Sequence, residues 1–140
     1  MAEEQIIWTD DFLVGDDELD AQHKELVRLT NEFYNGTQMG GVVAKVFFMQ
    51  TIKGALHYVK THFSAEEKIM QKVGFPQYDE HKKQHEDFIA AVTRETQVFE
   101  SQDNPDPKAF VKYLMDWITL HIADSDKKYA PYLAKNDQTR

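Results

Sequence analysis

The chain has 140 residues, 41% of them apolar and 29% charged, with a net charge of −8 and no cysteine. That length suits one domain burying about two-thirds of its unfolded surface, and the acidic balance argues against nucleic acid and anionic membrane surfaces. Without cysteine there are no disulfides, no thiolate chemistry and no cysteine-held zinc or iron–sulfur site. The opening MAEEQIIW is acidic and lacks the apolar run of a signal peptide, and no stretch approaches ~20 uninterrupted apolar residues. The expectation is one cytoplasmic domain over residues 1–140, with an arm at 1–15 and a bundle over about 16–134.

Residues 1–15 lack helical periodicity, and Ile6, Ile7, Trp8, Phe12, Leu13 and Val14 form an apolar arm ahead of Gly15. Asp16 and Asp17 suit the N-cap of a first helix, whose opening turn favours acidic side chains. Its stripe is Leu19, His23, Leu26, Thr30 and Phe33, and the Gly36 to Gly41 region closes it near Gln38. A second helix is expected from about Val42 to Val73, with Ile52, Leu56, Val59, His62, Phe63, Glu66, Ile69 and Val73 inward. His57, Lys60 and Glu67 fall on its outward face. In VGFPQ, Gly74 can take a left-handed cap and Pro76 cannot continue the helix. A third helix begins near Tyr78 and carries His81, His85, Phe88, Ile89 and Val92 on the same stripe. SQDNPDP (101–107) is a loop, with Asp106 as N-cap and Pro107 at the first helical position. The fourth helix has Phe110, Leu114, Trp117, Ile118 and His121 inward, and helical character persists until Pro131 and a polar tail. No strand pattern competes. The predicted fold is all-α: an up-down-up-down four-helix bundle with an N-terminal apolar arm and a short C-terminal helical extension.

His23, then His62 and Glu66, then His81 and His85, then His121 occupy the apolar stripes of all four helices. The pairs His62/Glu66 and His81/His85 are each four residues apart, which puts both side chains on one helix face. One histidine on such a stripe reads as a hydrogen-bonded core residue. Five do not, because each unpaired buried imidazole costs ~1–3 kcal/mol and a metal is the cheapest common partner. His57 is the internal control, turned ~140° from His62 onto the polar face. Five imidazoles with a carboxylate exceed the ~4 ligands that zinc takes. Imidazole and carboxylate without sulfur suit iron, with a carboxylate bridging two ions. The residues alone therefore point to a non-haem two-metal site in the bundle core, with iron favoured.

The segments WTDDFLVGDDELDAQH (8–23), HFSAEE (62–67), HKKQH (81–85) and HIADSD (121–126) run in order across nearly the whole chain. Together they resemble the hemerythrins, and the single-domain bacterial kind most closely. The resemblance implies two iron ions, Fe2+ or Fe3+, that bind dioxygen reversibly. It places His81, His85 and His121 on one iron and His23 and His62 on the other. Glu66 and Asp126 would bridge the two, together with an oxo or hydroxo group. It also implies an open position on the His23/His62 iron, with Trp117 and Ile118 lining an oxygen pocket and Phe63 and Trp8 as further candidates. The expectation is an oxygen carrier, store or delivery protein with no catalytic residue, a monomer, with an oxygen-using enzyme as one possible recipient. Its ligands are mostly neutral imidazoles, unlike the carboxylate-rich set of ferritin-like di-iron proteins, which favours a carrier over an oxidase. The alternatives are an oxygen or redox sensor, an iron-handling module, and a di-iron oxidase or nitric oxide reductase.

Spacing and resemblance conflict at one point. In a regular helix Asp124, three residues after His121, shares its face, while Asp126 is turned ~140° away. The resemblance nonetheless selects Asp126. A π-bulge adds one residue to a turn and makes i+5 behave as i+4. A break in the regular hydrogen-bond ladder is therefore expected between His121 and Asp126, with Asp124 in solvent.

Overall fold

The computed structural model describes residues 6–37, 41–103 and 106–133. Four helices carry the fold: α1 (Asp17–Thr37), α2 (Gly41–Lys72), α3 (Tyr78–Ser101) and α4 (Lys108–Leu120). Short connections make successive helices antiparallel neighbours. α1 packs on α2 and α4, and α2 packs on α3. α3 reaches α4 through aromatic rings, with Phe88 stacked on Trp117 at 3.9 Å. The result is the all-α up-down-up-down bundle that the stripes predict.

The helix ends follow from local chemistry. Asp16 caps α1: its Oδ1 accepts the Leu19 amide at 2.9 Å, satisfying one of the donors a helix start leaves open. Asp106 does the same for α4, accepting the Lys108 amide at 3.0 Å. Pro107 is helical at φ −78°, and its carbonyl takes the Val111 amide at 2.9 Å, as a proline at the first helical position should. Gly74 ends α2 at φ +70°. The Gly74 amide bonds Gln71 O and the Phe75 amide bonds Met70 O, a Schellman closure whose apolar partners Phe75 and Met70 are both buried.

Two expectations are corrected, for the arm and for Pro131. The arm is not wholly non-helical, because Asp10–Phe12 form a 3-10 turn capped by Thr9. α1 closes at Thr37, within the Gly36 to Gly41 region as expected, and Gly36 itself lies inside its last turn. The Phe47 ring stands where a side chain would be, 2.4 Å from an ideal Cβ, so that glycine serves close helix approach. Pro131 does not end the helical character. It sits in a last turn over 130–133, early enough that its missing N–H breaks nothing. The expected arm residues 1–5, the loop residues 38–40 and 104–105, and the tail 134–140 lie outside the described range.

The arm is tied to α1 by a reciprocal pair: the Ile6 amide donates to Asn31 Oδ1 at 2.8 Å, and Asn31 Nδ2 donates to the Ile6 carbonyl at 2.9 Å. Two apolar clusters fill the bundle. The larger includes Leu26, Phe48, Val59, Phe88, Leu114 and Ile118. The smaller joins Val14, Leu19, Met70, Phe75, Tyr129 and Leu133 at the other end. The buried histidines lie between them, so apolar side chains close the polar layer on both sides.

Candidate metal centre

Each helix brings its part of the layer from the stripe facing the core. α1 supplies His23, α2 supplies His62 and Glu66, α3 supplies His81 and His85, and the turns that follow α4 supply His121 and Asp126. All seven are buried, with Glu66, Asp126 and His23 at 0% exposure. The last pair depends on a local change of winding. Residues His121–Ser125 form a π-helical turn, and the Asp126 amide bonds the His121 carbonyl. That wider turn brings Asp126 round to the face of His121 and leaves Asp124 exposed.

The seven residues fall into two ligand groups that share two members: Glu66, His81, His85, His121 and Asp126, and His23, His62, Glu66 and Asp126. Glu66 divides its oxygens between them. Its Oε1 faces His81 and His85 at 3.1 and 3.0 Å, and its Oε2 faces His23 and His62 at 3.0 and 3.1 Å. Asp126 does likewise, with Oδ1 at 3.0 and 3.1 Å from His81 and His121 and Oδ2 at 3.0 Å from His23. All five histidines present Nε2 inward.

Metal ions fit this donor set. Both Asp126 oxygens are fully buried yet have no partner in hydrogen-bond geometry, although three ring nitrogens stand close by. The His85 and His121 Nε2 atoms face each other at 3.1 Å. Lone pairs that converge in this way ask for cations, either protons or metal ions. The donor atoms of each group lie within 4.8 Å of one another, close enough to converge on one ion.

Around these residues sits a ring of partners. Glu67 Oε2 is 2.9 Å from His85 Nδ1, and Gln22 Oε1 is 2.6 Å from His62 Nδ1. Both partners are acceptors, so each ring carries its proton on Nδ1 and keeps Nε2 free. Tyr129, fully buried, donates its hydroxyl to Glu66 Oε2 at 3.0 Å. Burial pushes the Tyr129 hydroxyl well above its ordinary range, and the nearby Asp126 and Glu66 charges push the same way, so it stays a donor. In the metal-free state burial would lower the pKa of His23, but the Asp126 and Glu66 carboxylates outweigh it and raise it to about 10. The same opposition raises His81 to about 9. Burial alone would raise the Glu66 carboxyl, yet four surrounding histidines hold it well below its usual range. Asp126 is lowered too: burial and the Glu66 charge oppose this, and His121 and His23 prevail.

Four apolar residues were expected to wall an oxygen pocket. Phe63 stacks on the His85 ring at 3.7 Å, and Trp117 stacks on His121 at 4.2 Å. Ile118 is buried one turn above His121. Trp8 stands further out, stacked on Phe12 at 5.1 Å with the Lys24 ammonium over its ring. His57 is exposed, on the polar face the stripe assigns it. Glu67 corrects the reading that placed it in solvent. Its side chain is 20% exposed and reaches across to α3, a reach that helix angle alone does not register. Gln22 and Tyr129 went unmarked as well. Their signals were present, since Gln22 adjoins His23 and Tyr129 lies one turn past Asp126.

A layer of buried imidazoles sharing two carboxylates across four helices defines a metal-binding four-helix bundle. The hemerythrin HHE cation binding domain matches residues 14–133. The chain belongs to the hemerythrin family. It is 30% identical over 125 residues to a bacteriohemerythrin of Pseudomonas aeruginosa, covering 89% of this chain and 78% of that protein. It is 30% identical over 122 residues to a hemerythrin-like protein of Naegleria gruberi, covering 87% of this chain and 88% of that one. A crystal structure of wild-type hemerythrin superimposes with a TM-score of 0.83 over 94% of this chain and 99% of the other, at 24% identity. No described helix is long and apolar enough to cross a membrane.

Proposed function

We propose that this chain binds dioxygen reversibly at a pair of iron ions, as an oxygen carrier or store. His81, His85 and His121 would hold one ion, His23 and His62 the other, and Glu66 and Asp126 both. The observation that carries the reading is the asymmetry of the two groups: one offers five ligand residues and the other four. The His23/His62 side is one donor short, and a small ligand there would complete it. When bound, an iron pair supplies electrons to dioxygen and recovers them on release.

The chain's own residues make such an exchange reversible. Glu66 and Asp126 bring two negative charges to a layer whose other donors are neutral, which limits the net charge buried there. Tyr129 hydrogen-bonds the Glu66 oxygen on the His23/His62 side and fixes the orientation of that carboxylate between the two histidine groups. Phe63 and Trp117 stack on the His85 and His121 rings and Ile118 is buried beside them, so these side chains keep water and protons out of the layer.

The test is stoichiometric. Protein loaded and reduced under nitrogen is assayed for iron, then titrated with dissolved oxygen at an oxygen electrode. Two irons and one dioxygen per chain support the reading. Continuous oxygen consumption with a reductant present would instead make the protein an oxidase.

A further inference from the structure

We propose that the bundle core contains a second gas site: an apolar cavity, one helical turn from the histidines, that holds one small apolar molecule such as dioxygen. The cavity measures about 30 Å³, above the ~10–15 Å³ that a single water needs. Four of its lining residues are Leu26, Val59, Phe88 and Ile118. Each lies three residues from a histidine of the layer (His23, His62, His85 and His121), on the same helix and stripe. Four antiparallel helices therefore present one continuous apolar floor directly above the polar layer.

The lining decides what can occupy it. Every lining side chain is apolar except Thr30, and the Thr30 hydroxyl is already spent on the Leu26 carbonyl at 2.8 Å. Water needs two to four polar partners to enter a buried site and finds at most the Thr30 hydroxyl oxygen here, so the cavity stays dry. An apolar diatomic gives up almost no hydration on entering. Leu29 and Leu56 are the two lining residues that keep some exposure, and they place the thin wall at the α1–α2 seam. Gas entering there is held next to Ile118, which separates the cavity from the proposed oxygen pocket. Its use as a holding place for oxygen rests on the proposed function, whereas gas occupancy itself does not.

The experiment uses xenon as probe. Crystals of the iron-loaded protein are pressurised with xenon and the anomalous signal is mapped, for the native chain and for Ala55→Leu. Ala55 is buried in the lining, and leucine there fills the space. The expected result is a xenon peak bounded by Leu26, Val59, Phe88 and Ile118, and its loss in Ala55→Leu. The absence of that peak in the native chain, or ordered water in its place, overturns the proposal without any variant having to fold. Stopped-flow oxygenation then separates the two claims. Slower oxygen association in Ala55→Leu supports the holding role, and an unchanged rate overturns that role. A xenon peak in a protein that shows no oxygen-linked spectrum would leave the gas site standing and remove the proposed function.

Discussion

Replacing Asp126 tests how the unusual winding after α4 serves the site. Asp126 is fully buried, with ring nitrogens of His23, His81 and His121 at 3.0–3.1 Å. Asp126→Ala removes one donor from each ligand group and leaves Glu66 as the remaining anion among five imidazoles. Removing one partner of a buried ion pair costs ~3–5 kcal/mol, so the iron-free variant should melt ~10–20 °C lower in a chain of this size. It should also fail to retain both irons. Asp124→Ala and His57→Ala touch exposed residues and should stay within ~0.5 kcal/mol of the parent with full iron. The assay is iron per chain after anaerobic loading and desalting, beside thermal melts followed by circular dichroism. If Asp124→Ala lost iron while Asp126→Ala kept it, the assignment of the π-helical turn to metal binding would be wrong.

Glu67→Gln removes the charge that orients His85 and should weaken iron retention ~10–100-fold in chelator competition; unchanged retention would reduce Glu67 to a surface residue. Ile118→Ala should cost ~2–5 kcal/mol and speed autoxidation of the oxygenated protein, since it opens the wall above His121; an unchanged autoxidation rate would make Ile118 plain core. In iron-free protein His23 and His81 are raised from 6.5 to about 10 and about 9. Their protonated forms therefore stabilise the fold fully below pH 6.5, and that stabilisation is lost as the pH rises through about 9 to 10. Iron takes the place of those protons, so the melting temperature of the loaded protein should change less over that window. An iron-free melting temperature that rises from pH 7 to pH 10 would contradict the assignment.

The four-helix bundle was readable because its information is periodic. His23, Glu66, His85 and His121 each recur on an apolar stripe, and burial follows the stripe with few exceptions. The π-helical turn was readable for a different reason: two pieces of sequence information disagreed about Asp124 and Asp126, and one extra residue per turn was the smallest change that reconciled them. Residues acting through reach escaped. Glu67 sits about 100° round the helix from Glu66, and only its length and the position of α3 bring it to His85. Tyr129 depends on how the chain folds after the wide turn, which periodicity does not describe. The cavity was invisible for a further reason, because it arises from how side-chain volumes from four helices fail to fill a space. Gly36 shows the same limit: whether glycine ends a helix or admits a neighbour depends on Phe47, which belongs to the next helix.

The most direct test of the central claim is a repeated cycle of air and nitrogen over the reduced, iron-loaded protein, followed by visible absorption. Binding at the His23/His62 side predicts a band that appears with air, disappears under nitrogen and returns with the same amplitude on the next cycle. A band that forms once and cannot be reversed without added reductant would contradict it.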